Sequence, residues 1–179
     1  VLNGKAVRLR RVEREDLPRF AVWLNDPEVR EGLEMIYPVS LANEEQWFEG
    51  MLRSEPAAQQ FSIDALSGGG GAVLHIGIIG FHGVDWKNSH AEIGVFIGDK
   101  AFWGRGFGTD AVRTLTRWGL NELNLHRVWL KVYEDNKRAI RSYEKAGFRH
   151  EGRLREDAFH RGRYCDTLVM GVLRSEFEA

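Results

Sequence analysis

Apolar and polar positions along this chain alternate in short stretches, then switch to helical spacing, and the switches mark out its elements. Val7-Arg8-Leu9-Arg10 alternates as a first strand. Asp16-Leu17-Pro18 then opens a helix, with Asp16 as its expected N-cap and Pro18 in its first turn. Phe20, Trp23 and Leu24 share one face of that helix, and Asn25-Asp26-Pro27 interrupts it. Residues 33–39 are irregular, and Leu41 to Leu52 reads as a second helix, with Asn43 as the candidate cap and Trp47, Phe48, Met51 and Leu52 apolar. Phe61 to Leu66 predicts a strand, and the glycine run at 67–71 a flexible hairpin loop. His75 to Val84 and Ser89 to Gly98 predict two strands around the turn Asp85-Trp86-Lys87-Asn88. A helix from Thr109 to Leu123 carries Ala111, Leu115 and Trp118 inward. Val128, Leu130 and Val132 alternate along the next strand, and Asn136 caps the last helix. Phe148 to Arg155 and Tyr164 to Leu173 complete the sheet, with Gly162 at their connection.

Between the strand ending near Gly98 and the helix at Thr109 lies a glycine-studded turn, Phe102-Trp103-Gly104-Arg105-Gly106-Phe107-Gly108. Glycines let backbone approach a ligand closely, and a helix start leaves unpaired N–H groups at the positive end of the helix dipole. Together they make an anion site, most often for phosphate. The nucleotide-hydrolase phosphate loop ends in Gly-Lys followed by Ser or Thr, and neither sequence occurs here. Gly106, Gly108 and Ala111 do fit the G-x-G-x-x-A pattern of dinucleotide domains, with Glu134 and Asp135 beyond the expected acid position. That reading starts the first βαβ unit past mid-chain and leaves too little sequence for the rest of such a domain.

The same turn resembles the coenzyme A loop of the GNAT acyltransferases: a Gln or Arg, two free positions, Gly, one free position, then Gly or Ala. Trp103 stands at the Gln/Arg position, a departure from the pattern. The segment Asn136…Tyr143-Glu144-Lys145-Ala146-Gly147-Phe148 resembles the family's second coenzyme A motif, at the right distance downstream. The element order β-α-α-β-β-β-α-β-α-β-β is also similar to that family's, and the closing Phe159-His160-Arg161-Gly162-Arg163-Tyr164…Asp166…Met170 resembles its RimJ/RimL-type branch. The resemblance implies one α/β (α+β) domain over residues 1–179, with a mixed, mostly antiparallel central sheet flanked by helices. It implies acetyl-CoA as co-substrate, its pyrophosphate held by backbone N–H groups from Trp103, Gly104, Arg105 and Gly106 through Phe107, Gly108 and Thr109. Backbone groups around Phe96 and Ile97 would pair with the pantetheine arm as an added strand does. Asn136 would contact the cofactor, and Tyr143 would reach its sulfur as general acid. Family members are often dimers, so a homodimer is an expectation as well.

Acyl transfer from a thioester to an amine requires loss of a proton from an ammonium whose reference pKa is about 10.4 for a lysine-like group. It also requires polarisation of the carbonyl and stabilisation of the departing thiolate. Glu92 is the candidate base, directly or through a water, because it shares a strand face with His90, Gly94 and Phe96, away from Ile93, Val95 and Ile97. Tyr143 follows Asn136 by nearly two helical turns, so both project from a similar side. No residue stands out as a covalent acyl carrier, which predicts direct attack by the amine in a ternary complex. A non-catalytic acyl-CoA-binding module of the same fold is the alternative.

Charge refines this picture. Arg105 and Lys137 are the basic residues expected at coenzyme A phosphates, among the cluster Lys100, Arg105, Lys137, Arg138, Arg141 and Lys145. Eight carboxylates lie from Asp26 to Glu55 against Arg30 and Arg53 alone, which suggests a cleft that draws in a cationic amine: a protein N-terminus, a polyamine or another small amine. The overall net charge of −1 gives no argument for nucleic acid or membrane. Six histidines without an H-x-x-x-H spacing and one cysteine, Cys165, predict no metal, no internal disulfide and a reducing cytoplasm. No apolar run is long enough to span a bilayer, and no secretory signal opens the sequence.

Overall fold

The computed structural model describes residues 1–66 and 73–177; the predicted glycine hairpin loop at 67–71 lies outside them. In chain order the strands are β1 (Leu2–Asn3), β2 (Val7–Arg11), β3 (Phe61–Ala65), β4 (Leu74–Asp85), β5 (His90–Ile97), β6 (Arg127–Tyr133), β7 (Arg149–His160) and β8 (Arg163–Leu173). The helices are α1 (Leu17–Leu24), α2 (Pro27–Arg30), α3 (Leu41–Arg53), α4 (Phe107–Asn121) and α5 (Lys137–Lys145). Among the described residues the strands form one sheet in the order β1-β2-β3-β4-β5-β6-β8-β7. Its one parallel pair is β5–β6; the others run antiparallel.

The alternation read from sequence gives the sheet two buried faces. Ala91 and Ile93 of β5, Val128 and Leu130 of β6 and Met170 of β8 pack with Ala111 and Leu115 of α4 and Ile140 of α5. On the other face Phe20, Trp23 and Leu24 of α1 and Phe48 and Met51 of α3 cover Ile78 of β4, with Phe96 of β5 packed against them. Strand β5 is thus clamped between two apolar layers, which fixes the direction in which each of its residues points.

Several expectations change. Asp16 stands at the N-cap position of α1 but its side chain makes no cap hydrogen bond: its carboxylate turns back to Arg10 (2.7 and 2.8 Å), Ser62 (2.8 Å) and the Glu13 N–H (3.0 Å). Burial pushes that carboxyl up, but the hydrogen bonds from Arg10, Glu13 and Ser62 outweigh it and hold its pKa at about 2. Ser40, not Asn43, is the N-cap of α3; Asn43 is the third helical residue, and each side chain accepts from the other's backbone in a capping box. Helix α4 begins at Phe107, two residues before Thr109, because Gly106 takes the left-handed conformation that ends the turn. The short β1 was missed, and β7 runs on to His160 rather than Arg155, through a bulge where Glu156 has φ 51°.

What positions the site is a divergence in the sheet. Strand β5 pairs with β4 along its length to Ile97, but with β6 only from His90 to Glu92. Beyond Glu92 the edge of β5 that faced β6 is open, and its backbone hydrogen-bonding groups point into the gap. No helix among the described residues is long and apolar enough to cross a membrane.

Candidate functional site

A cavity of about 630 Å³ fills the gap between the separated strands. Val95, Phe96 and Ile97 of β5 form one wall, and Asn136, Ala139, Ser142 and Tyr143 form the other. The first turn of α4 makes its floor, and Val29, Gly32 and Leu33 roof it. Gly32 approaches the side-chain nitrogen of Asn136 so closely that a Cβ there would lie 3.1 Å from it.

The floor is built by the glycine turn. Asp99 caps a 3-10 turn at Lys100–Phe102, and the chain then passes through Gly104 (φ 71°) and Gly106 (φ 89°). Both values lie in the region that only glycine adopts freely. Because Gly106 is itself the N-cap and carries no side chain, the first-turn N–H groups of Phe107, Gly108 and Thr109 have no capping side-chain oxygen among the described residues. Gly108 serves a different purpose: a Cβ there would meet Ile97 Cγ1 at 3.7 Å and Ser142 Oγ at 3.9 Å, inside the cavity. Thr109 Oγ1 and Ser142 Oγ lie 2.8 Å apart, tying the first turn of α4 to α5.

The wall is strongly cationic. Lys5, Arg105, Arg113, Arg138, Arg141 and Lys145 line it, against the single carboxylate, among the described residues, of Asp110. That carboxylate already accepts hydrogen bonds from the Ala6 and Val7 N–H groups at 2.7 and 3.0 Å, which docks the β1–β2 turn and Lys5 against α4. Such a field favours a ligand with several negative charges.

The structure brings together most of the expected site residues. Phe96, Ile97, Trp103, Gly104, Arg105, Gly106, Gly108, Thr109, Asn136 and Tyr143 all line the cavity. Phe107, Lys137 and Glu92 do not. The Phe107 ring turns away to pack against Phe102 at 5.2 Å, so only its backbone serves the turn. Lys137 reaches back to the Glu134 carbonyl at 2.6 Å. Glu92 sits in register with His82 of β4 and Trp129 of β6, on the face it was expected to share with Phe96. Four steps of extended strand, roughly 13 Å, separate it from Phe96 on the cavity wall. Trp103 donates from Nε1 to the Ile97 carbonyl at 2.7 Å, so the departure from the family pattern fixes the end of β5.

The Tyr143 ring is half-buried against the core and Phe148, and its hydroxyl makes no hydrogen bond among the described residues. Burial pushes its pKa up to about 12, so the group stays a neutral donor at ordinary pH. Lys5, Asp110, Arg113 and Ser142 were not anticipated. Asp110 meets Ala6 and Val7, next to Lys5, across roughly a hundred residues of chain, and no local pattern announces that contact.

The acid-rich segment divides into several separate environments. Asp26 and Glu28 pair with Lys100, Glu31 with Arg161 and Glu49 with Arg14, while Glu55 accepts from the Trp86 indole. Glu44 is buried, which pushes its pKa up. Glu45 and Glu49 border a separate groove along α3 with Arg14 and Arg53. The expected cluster of eight carboxylates at one cleft is therefore corrected: three cations from elsewhere in the chain, Lys100, Arg161 and Arg14, pair with four of them. The exposed Glu34 keeps its field near the site and raises the pKa of Tyr133 after burial itself does.

A family model for the Acetyltransferase (GNAT) domain matches residues 6–149. Over 178 residues the chain is 32% identical to the uncharacterized N-acetyltransferase p20 of Bacillus licheniformis, a match covering 98% of this chain and 97% of that protein. Across 102 residues it is 31% identical to the spermidine N(1)-acetyltransferase of Vibrio cholerae, covering 57% of this chain and 58% of that one. In three dimensions it matches the crystal structure of spermidine N-acetyltransferase from Vibrio cholerae in complex with CoA and spermine, with a TM-score of 0.86, 25% identity and coverage of 97% and 98%. The matched region contains the divergence of β5 from β6, the glycine turn and the first turn of α5, and a relative of like length aligns almost end to end. The chain belongs to the GNAT family, and is an acetyl-CoA-dependent N-acetyltransferase of its RimJ/RimL type.

Proposed function

We propose that this protein transfers the acetyl group of acetyl-CoA to a primary amine that arrives as a small cation, with a polyamine as the leading class. The observation that carries this reading is the open edge of β5, which leads from an uncapped, cation-flanked helix start to a tyrosine hydroxyl with no hydrogen-bond partner among the described residues. The wall fits the donor: first-turn N–H groups of α4 and six cations suit its phosphates, and the unpaired edge at Val95–Ile97 suits its amide-bearing arm. The donor supplies the thioester on which the amine acts. The spermidine acetyltransferases among the similar proteins support a polyamine acceptor.

The chain's own groups divide the work. Backbone N–H groups of Phe107, Gly108 and Thr109 hold the phosphate end, and the β5 edge orients the arm along the gap. Tyr143 donates its O–H toward the sulfur as negative charge develops there. The roof at Val29, Gly32 and Leu33 excludes water over this end of the cavity. Glu92 takes the ammonium proton through intervening water, a reading supported by the length of extended strand between it and Phe96 on the cavity wall. With a relay of that kind, Glu92→Gln should lower kcat/KM by only about tenfold, below the 10²-fold start of the range for a positioned base. A loss of 10³-fold or more in steady-state assays would place Glu92 in direct contact with the amine.

Capture of a cation by the carboxylates left near the cleft makes a separable prediction. Glu34→Lys should raise KM for a polyamine several-fold with kcat little changed, whereas Glu45→Lys, in the α3 groove, should leave both unchanged. Raising salt should act as Glu34→Lys does, because exposed charges are screened beyond roughly 8 Å at physiological ionic strength. Equal effects at the two positions, or a neutral amine as best acceptor, would end the cationic-acceptor reading. The activity itself is tested by amine-dependent thiol release from acetyl-CoA across a panel of polyamines, peptides and neutral amines.

A further inference from the structure

The cations on the cavity wall are not equivalent. Arg105 lies over Phe102 and Phe107 and donates to the Ala101 carbonyl at 3.3 Å. Arg113 packs over Phe177. Lys137, the other residue expected at a phosphate, is tied to Glu134 off the wall. Arg138 is held differently. Its guanidinium carbon lies 3.7 Å from the centre of the Trp103 ring, and among the described residues it donates no hydrogen bond. Stacking occupies the face of a guanidinium and leaves its in-plane N–H fork available. The ring beneath it is itself fixed, because the indole N–H is bonded to Ile97 at the end of β5.

A second observation concerns the helix. Arg138 is the second residue of α5, after the Asn136 cap and Lys137, and that first turn contains no acidic residue. Cations at a helix N-terminus oppose its dipole and are unfavourable there in isolation. An anion placed between the first turns of α4 and α5 reverses the sign, pairing with both the dipoles and the guanidinium.

Resting on the acyl-donor reading above, we infer that Arg138, carried on the Trp103 indole, is a pyrophosphate-binding residue for the donor and joins the first turn of α5 to that of α4 around it. Trp103 then serves as the platform that aims the cation, not as a ligand. The test is calorimetric titration of coenzyme A into the full chain and its variants, with thermal melts alongside. Arg138 is exposed on a helix surface, so Arg138→Gln should melt within a few degrees of wild type. It should weaken coenzyme A binding roughly ten- to a hundredfold, as loss of charge-assisted hydrogen bonds does. Arg138→Lys should recover only part of this, because an ammonium cannot reproduce the stacked fork. Trp103→Leu should weaken binding in the same direction, and the loss in Trp103→Leu combined with Arg138→Gln should fall clearly short of the sum of the two single losses, since the contribution of the stacked pair is lost only once. Wild-type affinity in Arg138→Gln, or fully additive losses, would overturn the assignment while leaving the donor reading intact. A wild-type chain that takes up no coenzyme A would remove both.

Discussion

Tyr143→Phe is expected to lower kcat on the order of 10²-fold while coenzyme A affinity stays within about twofold, the low end for loss of a general acid. The substitution removes one oxygen and keeps the ring that packs beside Phe148 and Ala139, so the cavity wall retains its shape. A 10²-fold loss corresponds to about 2.7 kcal/mol of transition-state stabilisation, in the range of a hydrogen bond to a developing anion in a partly dry site. The pKa of about 12 shapes how the group can act. A phenol that weakly acidic does not hand its proton to a thiol-like leaving group of reference pKa near 8.5 in advance; it donates a hydrogen bond that strengthens as charge reaches the sulfur. The sign of the pH dependence follows. Tyr143 is neutral, and therefore competent, at every pH below its pKa, so its titration should produce no fall in kcat up to about pH 10. Full kcat in Tyr143→Phe, with chemistry shown to be rate-limiting, would move the role to backbone groups or a water.

Gly108→Leu is expected to reduce coenzyme A affinity more than a hundredfold with the fold retained. The reason lies in where the side chain would go. Gly108 is not at positive φ, so a Cβ is tolerated by the backbone and makes ordinary contacts with Ile97 and Ser142. The remaining carbons must extend into the gap between β5 and α5 that the donor needs. Gly106→Val should also abolish binding, but for mixed reasons, because at φ 89° a β-branched residue strains the turn itself. Comparing the two separates occlusion from distortion. A ligand at a hundred times its Kd stabilises the folded state by about 2.7 kcal/mol, so wild type should gain several degrees in a thermal shift and Gly108→Leu almost none. An undiminished shift in Gly108→Leu would mean the donor does not cross this floor.

Local chemistry was legible from the sequence; long-range partners were not. The alternation of β5 placed Glu92 and Phe96 on one face and Ile93 on the other, because a strand clamped between two apolar layers must show its period. Asn136 declared itself as a cap, since an Asx side chain before a helix has one good use, and its oxygen does accept from the Ala139 N–H at 3.2 Å. The glycine turn was readable because positive φ demands glycine at Gly104 and Gly106. Charge was another matter. Which cation meets which carboxylate depends on where the chain returns: Arg161 comes back to Glu31 and Lys100 to Asp26, so a count of acids over one segment overstated its field. The same holds for Lys137 and Arg138, adjacent residues of which one folds back on Glu134 and the other reaches Trp103. Asp16 looked like a cap and became the centre of a buried ion network, because Arg10 and Ser62 lie on neighbouring strands that only the sheet brings together. Edge strand β7 escaped in part because almost every residue on it is exposed, which removes the apolar alternation that marks a strand.

At the centre stands a divided sheet that carries acetyl-CoA to an amine. The most direct measurement is thiol release from acetyl-CoA by wild type and Tyr143→Phe, with spermidine, spermine, a short peptide amine and a neutral amine at matched concentration and pH. Stoichiometric thiol release and acetylated product are expected with the polyamines, much less with the neutral amine, and a rate on the order of 10²-fold lower in the variant. Tight binding of coenzyme A with no amine-dependent release across the panel would contradict this, and would make the cavity a binding site without turnover.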